Sequence, residues 1–168
     1  LLFLGGETPD VAGGSGTYYA ASYTGNTCPG TGAEVSTGSN AVGSPDSTWT
    51  TDTSNTDWTG TWAMDYPSTA VTCVSATICA YARSSINGQQ NPTLSIWVDD
   101  GVCTRIALNL SITSSAGVEL CATTDACADI ADTFPQFSVG LDCNAVGGGQ
   151  NQNSCQIDYI SADLEWTE

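Results

Sequence analysis

The chain has 168 residues, enough for one domain with a full hydrophobic core, and it contains 18 Asp and Glu residues but only two Arg, no Lys and no His. A formal net charge of −16 repels phosphate backbones and anionic lipids, so we expect no nucleic-acid partner. Without His and Lys there are no Ser-His-Asp triads, Schiff bases or His-based metal sites, and we expect no enzymatic activity.

The first predicted element is an apolar segment followed by a glycine-rich linker, LLFLGGETPDVAGGSG (1–16). Its glycines and Pro9 are typical of a hinge. The segment could be a first strand in its own core, or an arm that packs into a neighbouring subunit. We assign residues 1–16 to an N-terminal arm and residues 17–168 to one sandwich domain. The apolar anchors of the arm are Leu1, Leu2, Phe3 and Leu4.

Residues 17–72 are rich in Thr, Ser, Gly and Trp, and turn signals such as GSPD (43–46) interrupt their short apolar alternations. This pattern predicts short strands joined by long loops, with Trp49 as a core or groove aromatic. Trp58, Trp62 and Trp97 are candidates for a sugar-stacking platform of the kind that jelly-roll lectins use. Packing in the core or at an interface is the alternative, and we favour it for the group.

Strand patterns are strong from residue 76 onward. In ATICAYAR (76–83) the apolar residues alternate with Tyr81 and polar residues. In TLSIWVDD (93–100), Leu94, Ile96 and Val98 share one face, so Trp97 points away from that core. The sequence DDG (99–101) predicts a tight hairpin turn.

The next run, residues 102–112, alternates most clearly. Val102, Leu108 and Ile112 are predicted on its apolar face, and Asn109 is predicted on the opposite face. Asn109-Leu110-Ser111 is an N-glycosylation sequon, and a strand position that faces solvent can carry a glycan. We therefore predict glycosylation at Asn109.

Residues 123–133 (TTDACADIADT) are the only predicted helical turns, with Asp125 as the N-cap. The last strand, CQIDYISADLEW (155–166), changes parity between Tyr159 and Ile160, which predicts a β-bulge. The strand that precedes it should form a hairpin with it. Cys143 and Cys155 would then face each other where this hairpin opens, in a geometry suited to a cross-strand disulfide.

The eight cysteines form an even set with no CxxC pair, which argues against zinc ribbons and thioredoxin-like sites. We predict four structural disulfides and an extracellular or cell-surface location. Eight cysteines allow 105 pairings, so the connectivity stays open. No apolar stretch is long enough to span a membrane. The cysteines are Cys28, Cys73, Cys79, Cys103, Cys121, Cys127, Cys143 and Cys155.

From about Ser36 onward the order of the pieces resembles a β-jelly-roll module found in phage tail-associated proteins and in bacterial and archaeal surface proteins. The matching pieces are GSPDSTW, ATICAYAR, LSIWVDDG, the region before FPQFSVGL, and IDYISADLEW. The resemblance implies a disulfide-stapled jelly-roll β-sandwich of about eight strands, used for display, adhesion or assembly. It brings no catalytic residue with it.

Calcium is the one cofactor with any basis in the sequence, because several aspartates lie in predicted loops with oxygen ligands nearby. No EF-hand or RTX pattern is present, and solvated acids are the favoured interpretation, so we predict no metal site and no cofactor. The aspartates concerned are Asp99, Asp100, Asp125, Asp129 and Asp132.

Two functions remain. The leading hypothesis is a structural subunit of an extracellular, pilus-like filament or surface layer, a homopolymer in which each arm enters a neighbour by β-augmentation. The alternative is a secreted carbohydrate-binding adhesion module whose partners are glycans.

Overall fold

The structure is a computed structural model that describes residues 13–30, 32–51, 56–65, 72–86, 90–99, 101–124, 137–147 and 152–167. Within these ranges the chain forms nine β-strands and a short 3-10 helix, Gly38–Ala41, which confirms the predicted all-β fold. No helix there has the length and hydropathy that crossing a membrane requires. The strands are β1 (Gly13–Gly25), β2 (Ala33–Glu34), β3 (Trp58–Met64), β4 (Thr72–Ser84), β5 (Thr93–Asp99), β6 (Cys103–Ser111), β7 (Val118–Thr124), β8 (Ser138–Asn144) and β9 (Cys155–Thr167).

The strands form two sheets that share β1. The first sheet has the order β1, β9, β4, β7, and the second has the order β6, β5, β8, β3, β1. The short β2 runs parallel to β3, and the other pairs are antiparallel. β1 pairs with β9 through its first half and with β3 through its second half. The end strands β6 and β7 contact each other, so the sheets nearly close around the core.

The core lies between the two sheets and contains the apolar residues that alternate along the strands. Leu94, Ile96 and Val98 are fully buried, as their shared face predicts. The largest fully buried side chains come from both sheets and the loops between them: Trp58, Trp62, Phe137, Ile78, Leu94, Ile96, Ile112, Leu141, Ile157, Ile160 and Leu164.

Disulfides connect strands and loops, both within one sheet and between the two sheets. The described bonds are Cys28–Cys103, Cys79–Cys121 and Cys143–Cys155. Cys73 is disulfide-bonded as well, whereas Cys127 lies outside the described residues. The predicted Cys143–Cys155 bond is confirmed, but the predicted hairpin is wrong. β8 lies in the second sheet and β9 in the first, so this bond joins the two sheets.

β6 departs from the continuous alternation predicted for residues 102–112. Its register against β5 shifts twice, and Asn109 adopts a positive φ of 53° in one of the shifted segments. Each bulge moves the following side chains to the other face. Leu108 is therefore 54% exposed. Val102 lies in the turn before β6 and is 72% exposed, while Ile112 is fully buried. The prediction that all three share the core face is wrong.

β1 begins at Gly13, inside the segment assigned to the arm. A Cβ atom at Gly14 would lie 2.6 Å from ring carbons of Trp166, its partner on β9, so only glycine lets the two strands pass this closely. The glycine run that resembles a hinge is thus partly strand. The anchors Leu1, Leu2, Phe3 and Leu4 lie outside the described residues, and assembly through them stays a prediction.

The last strand contains a bulge, as predicted, but it lies just before Tyr159 rather than between Tyr159 and Ile160. Tyr81 pairs with Tyr159 and Ala82 pairs with Ile157, so Asp158 is the extra residue on β9. The helical turns predicted for residues 123–133 are corrected at their start, because residues 123 and 124 end β7. Residues 125–136 lie outside the described residues.

Candidate functional site

The sandwich has two outer faces, and part of the face of the second sheet is covered by its own chain. Residues 26–30, called the strap here, cross it after β1. The Thr27 N–H donates to Thr61 Oγ1 at 3.1 Å, and the Cys28–Cys103 disulfide fixes the strap to β6. Thr59 and Thr61 point away from the core, yet they are buried under the strap. Little of this part of the face can meet a ligand.

The outer face of the first sheet carries a row of partly exposed aromatic side chains. Tyr19 and Tyr159 meet edge to face with ring centroids 6.0 Å apart, and Tyr159 and Tyr81 stack at 5.3 Å with an interplanar angle of 11°. Trp49 extends the row, 5.6 Å from Tyr81. We call these four residues the aromatic row.

Strand pairing explains why the row forms. Tyr81 and Tyr159 are direct partners on β4 and β9, and cross-strand pairs on one face of a sheet bring side chains into contact. Their neighbours Ala80, Ala82 and Ile160 are fully buried, so the tyrosines must face outward. At Gly117, which has a φ of +122°, a Cβ atom would lie 2.5 Å from Tyr81, so glycine also leaves room for this ring.

One end of the row is fixed by Arg83. Its guanidinium lies 4.1 Å from the centroid of the Trp49 ring, within cation–π distance. The Arg83 Nε donates to Gln156 Oε1 at 2.7 Å. These contacts orient Trp49, which the sequence places in a loop with no strand of its own.

The same face continues into a groove lined by hydroxyls and carboxylates, enclosing about 280 Å³. Thr17 Oγ1 donates to Asp163 Oδ1 at 2.5 Å, and Ser75 Oγ donates to Glu165 Oε2 at 2.8 Å. A second depression of about 380 Å³ continues past Glu165 to Val74, which is 50% exposed. We call the first of these the polar groove; its lining is Ser15, Gly16, Thr17, Ser75, Thr77, Asp163, Leu164 and Glu165.

The row and the groove lie on the same outer face, with the buried Ser161 between Tyr159 and Asp163. Tyr159, Asp163 and Glu165 occupy alternate positions of β9 and so share its outer face. The seven residues from Tyr159 to Glu165 extend over about 20 Å at the usual rise of a strand. The surface therefore suits an extended ligand better than a small compact one.

The fold changes the ionisation of Tyr159, which lies between Tyr19 and Tyr81 in the row. Burial and the nearby Glu119 carboxylate, which accepts a hydrogen bond from the Tyr159 hydroxyl at 3.2 Å, raise the pKa of Tyr159 from 10.0 to about 12. The fold thus favours the neutral phenol. Tyr159 contributes stability in full below pH 10, and this contribution is lost as the pH rises towards 12.

We expect Tyr159→Phe to lose less stability between pH 10 and 12 than the unsubstituted protein, because phenylalanine cannot ionise. Denaturant unfolding at several alkaline pH values measures this difference, and phenolate absorbance should show one late-titrating tyrosine fewer. Equal pH profiles for the two proteins would show that the raised pKa of Tyr159 is not coupled to folding.

The tryptophans proposed for sugar stacking lie elsewhere. Trp58 and Trp62 are fully buried and donate to the Cys155 and Gly38 carbonyls, so their place in the core removes them as stacking candidates. Trp97 points away from the core as predicted, but it lies on the second sheet with the Arg105 guanidinium 5.3 Å from its ring centroid. The three do not form a platform.

The aromatic row was missed by sequence reasoning, although part of the signal was present. The alternation in ATICAYAR already places Tyr81 opposite the buried face of its strand. A search for aromatic residues at outward strand positions would have found Tyr81. Tyr19 and Trp49 reach the row only through tertiary pairing.

The remaining predicted sites are also located. Asn109 is exposed, and its Oδ1 accepts from Asn144 Nδ2 at 3.2 Å; glycosylation there stays a prediction. Among the aspartates considered for calcium, Asp99 alone is described, and its two carboxylate oxygens accept from Gly101 N and Thr27 Oγ1. Asp100, Asp125, Asp129 and Asp132 lie outside the described residues. We propose no metal site.

The outer face of the first sheet therefore offers flat apolar rings beside hydroxyl and carboxylate acceptors. Sugar rings have apolar C–H faces that pack on aromatic rings and hydroxyl edges that hydrogen-bond to such acceptors. Stacking and hydrogen bonding together orient a sugar chain without any covalent step.

Comparison with known proteins adds one structural likeness. Neither a protein-family model nor a curated protein matches the sequence. A solved structure described as a xylan-binding module, CBM15, has the same fold at a TM-score of 0.51 and 15% identity, over 90% of this chain and 97% of that chain. No link to phage tail-associated proteins emerges. At this identity the likeness shows the fold alone, a carbohydrate-binding-module-like β-sandwich.

Proposed function

We propose that this protein is a secreted carbohydrate-binding module that holds a polysaccharide chain along the outer face of its first sheet. The single observation that carries the proposal is the position of the aromatic row and the polar groove on one face of the first sheet. The tyrosines would stack on sugar rings, and the groove would hydrogen-bond to hydroxyls further along the same chain.

Two further observations support the proposal. The solved structure that shares the fold is described as a xylan-binding module, which makes xylan the first ligand to test. The disulfides suit an oxidising extracellular compartment, where plant and microbial polysaccharides are met. The proposal gives the chain no catalytic role and needs no cofactor.

The filament hypothesis has no support in the described residues or in the comparisons. It depended on Leu1 to Leu4, which are not described, and on a flexible linker that proves to be strand from Gly13 onward. The carbohydrate-binding alternative therefore replaces it as the leading function.

We expect the protein to bind soluble xylan, and Tyr159→Ala to weaken that binding about tenfold or more, because Tyr159 contacts rings on both sides. Isothermal titration with xylan measures the affinity. Tyr159→Phe keeps the ring and should bind within about threefold of the unsubstituted protein.

Trp97→Ala is the matched control, since it removes a partly buried aromatic residue from the other sheet. Near-ultraviolet circular dichroism verifies that each variant is folded. The proposal fails if xylan and other neutral polysaccharides do not bind, or if Trp97→Ala weakens binding as much as Tyr159→Ala does.

A further inference from the structure

We infer that the site takes uncharged polysaccharide chains and rejects chains that carry uronate or other anionic substituents. This inference rests on the proposed function and specifies the substrate class of the same site. It follows from the hydrogen-bonding character of the polar groove together with the positions of the two arginines.

The charged groups of the polar groove are two carboxylates, and each already accepts a hydrogen bond from a neighbouring hydroxyl. Asp163 accepts from Thr17, and Glu165 accepts from Ser75. An ionised carboxylate can only accept, and it has lone pairs beyond the one that each hydroxyl uses. The hydroxyl of a neutral sugar can donate to these positions. A carboxylate on the ligand cannot donate to them, and the negative charges of Asp163 and Glu165 repel it.

No basic side chain can relieve this repulsion, because the whole chain contains only Arg83 and Arg105 and no Lys or His. Arg83 is held against Trp49 and donates to Gln156 at the opposite end of β9 from Glu165. Arg105 lies on β6 in the second sheet, beside Trp97. Neither arginine lines the groove.

The aromatic row adds to the same preference. The carboxylate of Glu119 accepts from the Tyr159 hydroxyl, so a negative charge also lies beside the centre of the row. A ligand chain that follows the face from Tyr159 to Glu165 passes three carboxylates, on Glu119, Asp163 and Glu165. The overall charge of −16 acts in the same direction at longer range.

The test compares neutral xylo-oligosaccharides with glucuronate-substituted xylo-oligosaccharides of equal length, at neutral pH and low ionic strength. We expect the substituted chains to bind about tenfold more weakly, since repulsion between exposed charges is modest. Added salt should narrow the difference, because it screens exposed charges.

The double variant Asp163→Asn, Glu165→Gln should reduce the ratio of the two affinities to less than about threefold, as it removes the charge while amide oxygens still accept from Thr17 and Ser75. Asp57→Asn is the matched control. Asp57 directly precedes β3 in the second sheet, does not line the groove, and accepts a hydrogen bond from the Ala145 N–H. It should keep the discrimination.

These experiments test the proposed function and the inference about charge separately. If neutral chains do not bind, the proposed function is wrong. If neutral and substituted chains bind equally well to the unsubstituted protein, the function stands and the inference about charge is overturned. The inference is also overturned if the double variant discriminates as strongly as the Asp57→Asn control.

Discussion

Replacing Trp62 by alanine should lower the free energy of unfolding by about 3–5 kcal/mol, the usual cost of truncating a buried tryptophan to alanine. Trp62 is fully buried and packs edge to face on Trp58, with ring centroids 6.5 Å apart, and against Tyr23 at 5.2 Å. Its Nε1 donates to the Gly38 carbonyl at 2.8 Å, so truncation also leaves a buried acceptor without its partner.

Denaturant unfolding of Trp62→Ala and Trp62→Phe, followed by circular dichroism, measures the effect. Trp62→Phe keeps most of the buried ring and should lose about 1–3 kcal/mol, chiefly from the unpaired carbonyl and the smaller volume. If Trp62→Ala costs less than about 1 kcal/mol, Trp62 is not a core residue. That outcome would return it to the candidates for sugar stacking.

Removing the Cys28–Cys103 disulfide with the pair Cys28→Ser and Cys103→Ser should cost about 4 kcal/mol. The bond closes a loop of 75 residues, and the entropy that a cross-link removes from the unfolded chain grows with loop length. The same bond fixes the strap to β6, so its loss also frees a segment that covers Thr59 and Thr61.

Guanidinium unfolding under oxidising conditions gives the stability of this variant, and native-state hydrogen exchange reports on the strap. The Thr27 amide donates to Thr61 Oγ1, so its exchange should speed up more than that of amides in β9. The pair Cys143→Ser and Cys155→Ser, which opens a 12-residue loop, is the comparison and should lose about 3 kcal/mol from chain entropy. An unchanged stability and an unchanged Thr27 exchange rate would contradict the role given to the Cys28–Cys103 bond.

Strands were predicted well from the sequence where the alternation of apolar and polar residues continues through the whole strand. Leu94, Ile96 and Val98 alternate without interruption, and they are fully buried while Trp97 points outward. The prediction failed in β6, where bulges change the parity midway. A bulge depends on the partner strand, and the local sequence of β6 contains no glycine or proline to mark it.

Glycines were harder to interpret from sequence than apolar residues. A GGSG run next to an apolar segment is typical of a linker, and we therefore assigned residues 13–16 to a linker. In the fold these glycines make space for Trp166, which lies more than 140 positions away by number. A requirement for close approach to a distant residue leaves no local signal.

The candidate site was only partly predictable for the same reason. From the sequence we selected tryptophans as candidates for sugar stacking because they are the largest aromatic residues. Trp58 and Trp62 are instead buried in the core. The tyrosines of the row come from β1, β4 and β9, which lie side by side only in the folded sheet. Their outward parity was visible, whereas their proximity required the strand order.

The pairing of β1 with β9 has a consequence for how the chain must fold. These two strands lie side by side in the first sheet, and Gly13 pairs with Thr167, so residues far apart in the sequence must meet before the two strands can pair. β1 therefore cannot complete its pairing in the first sheet until β9 is available. Pairing between strands so far apart in the sequence slows folding.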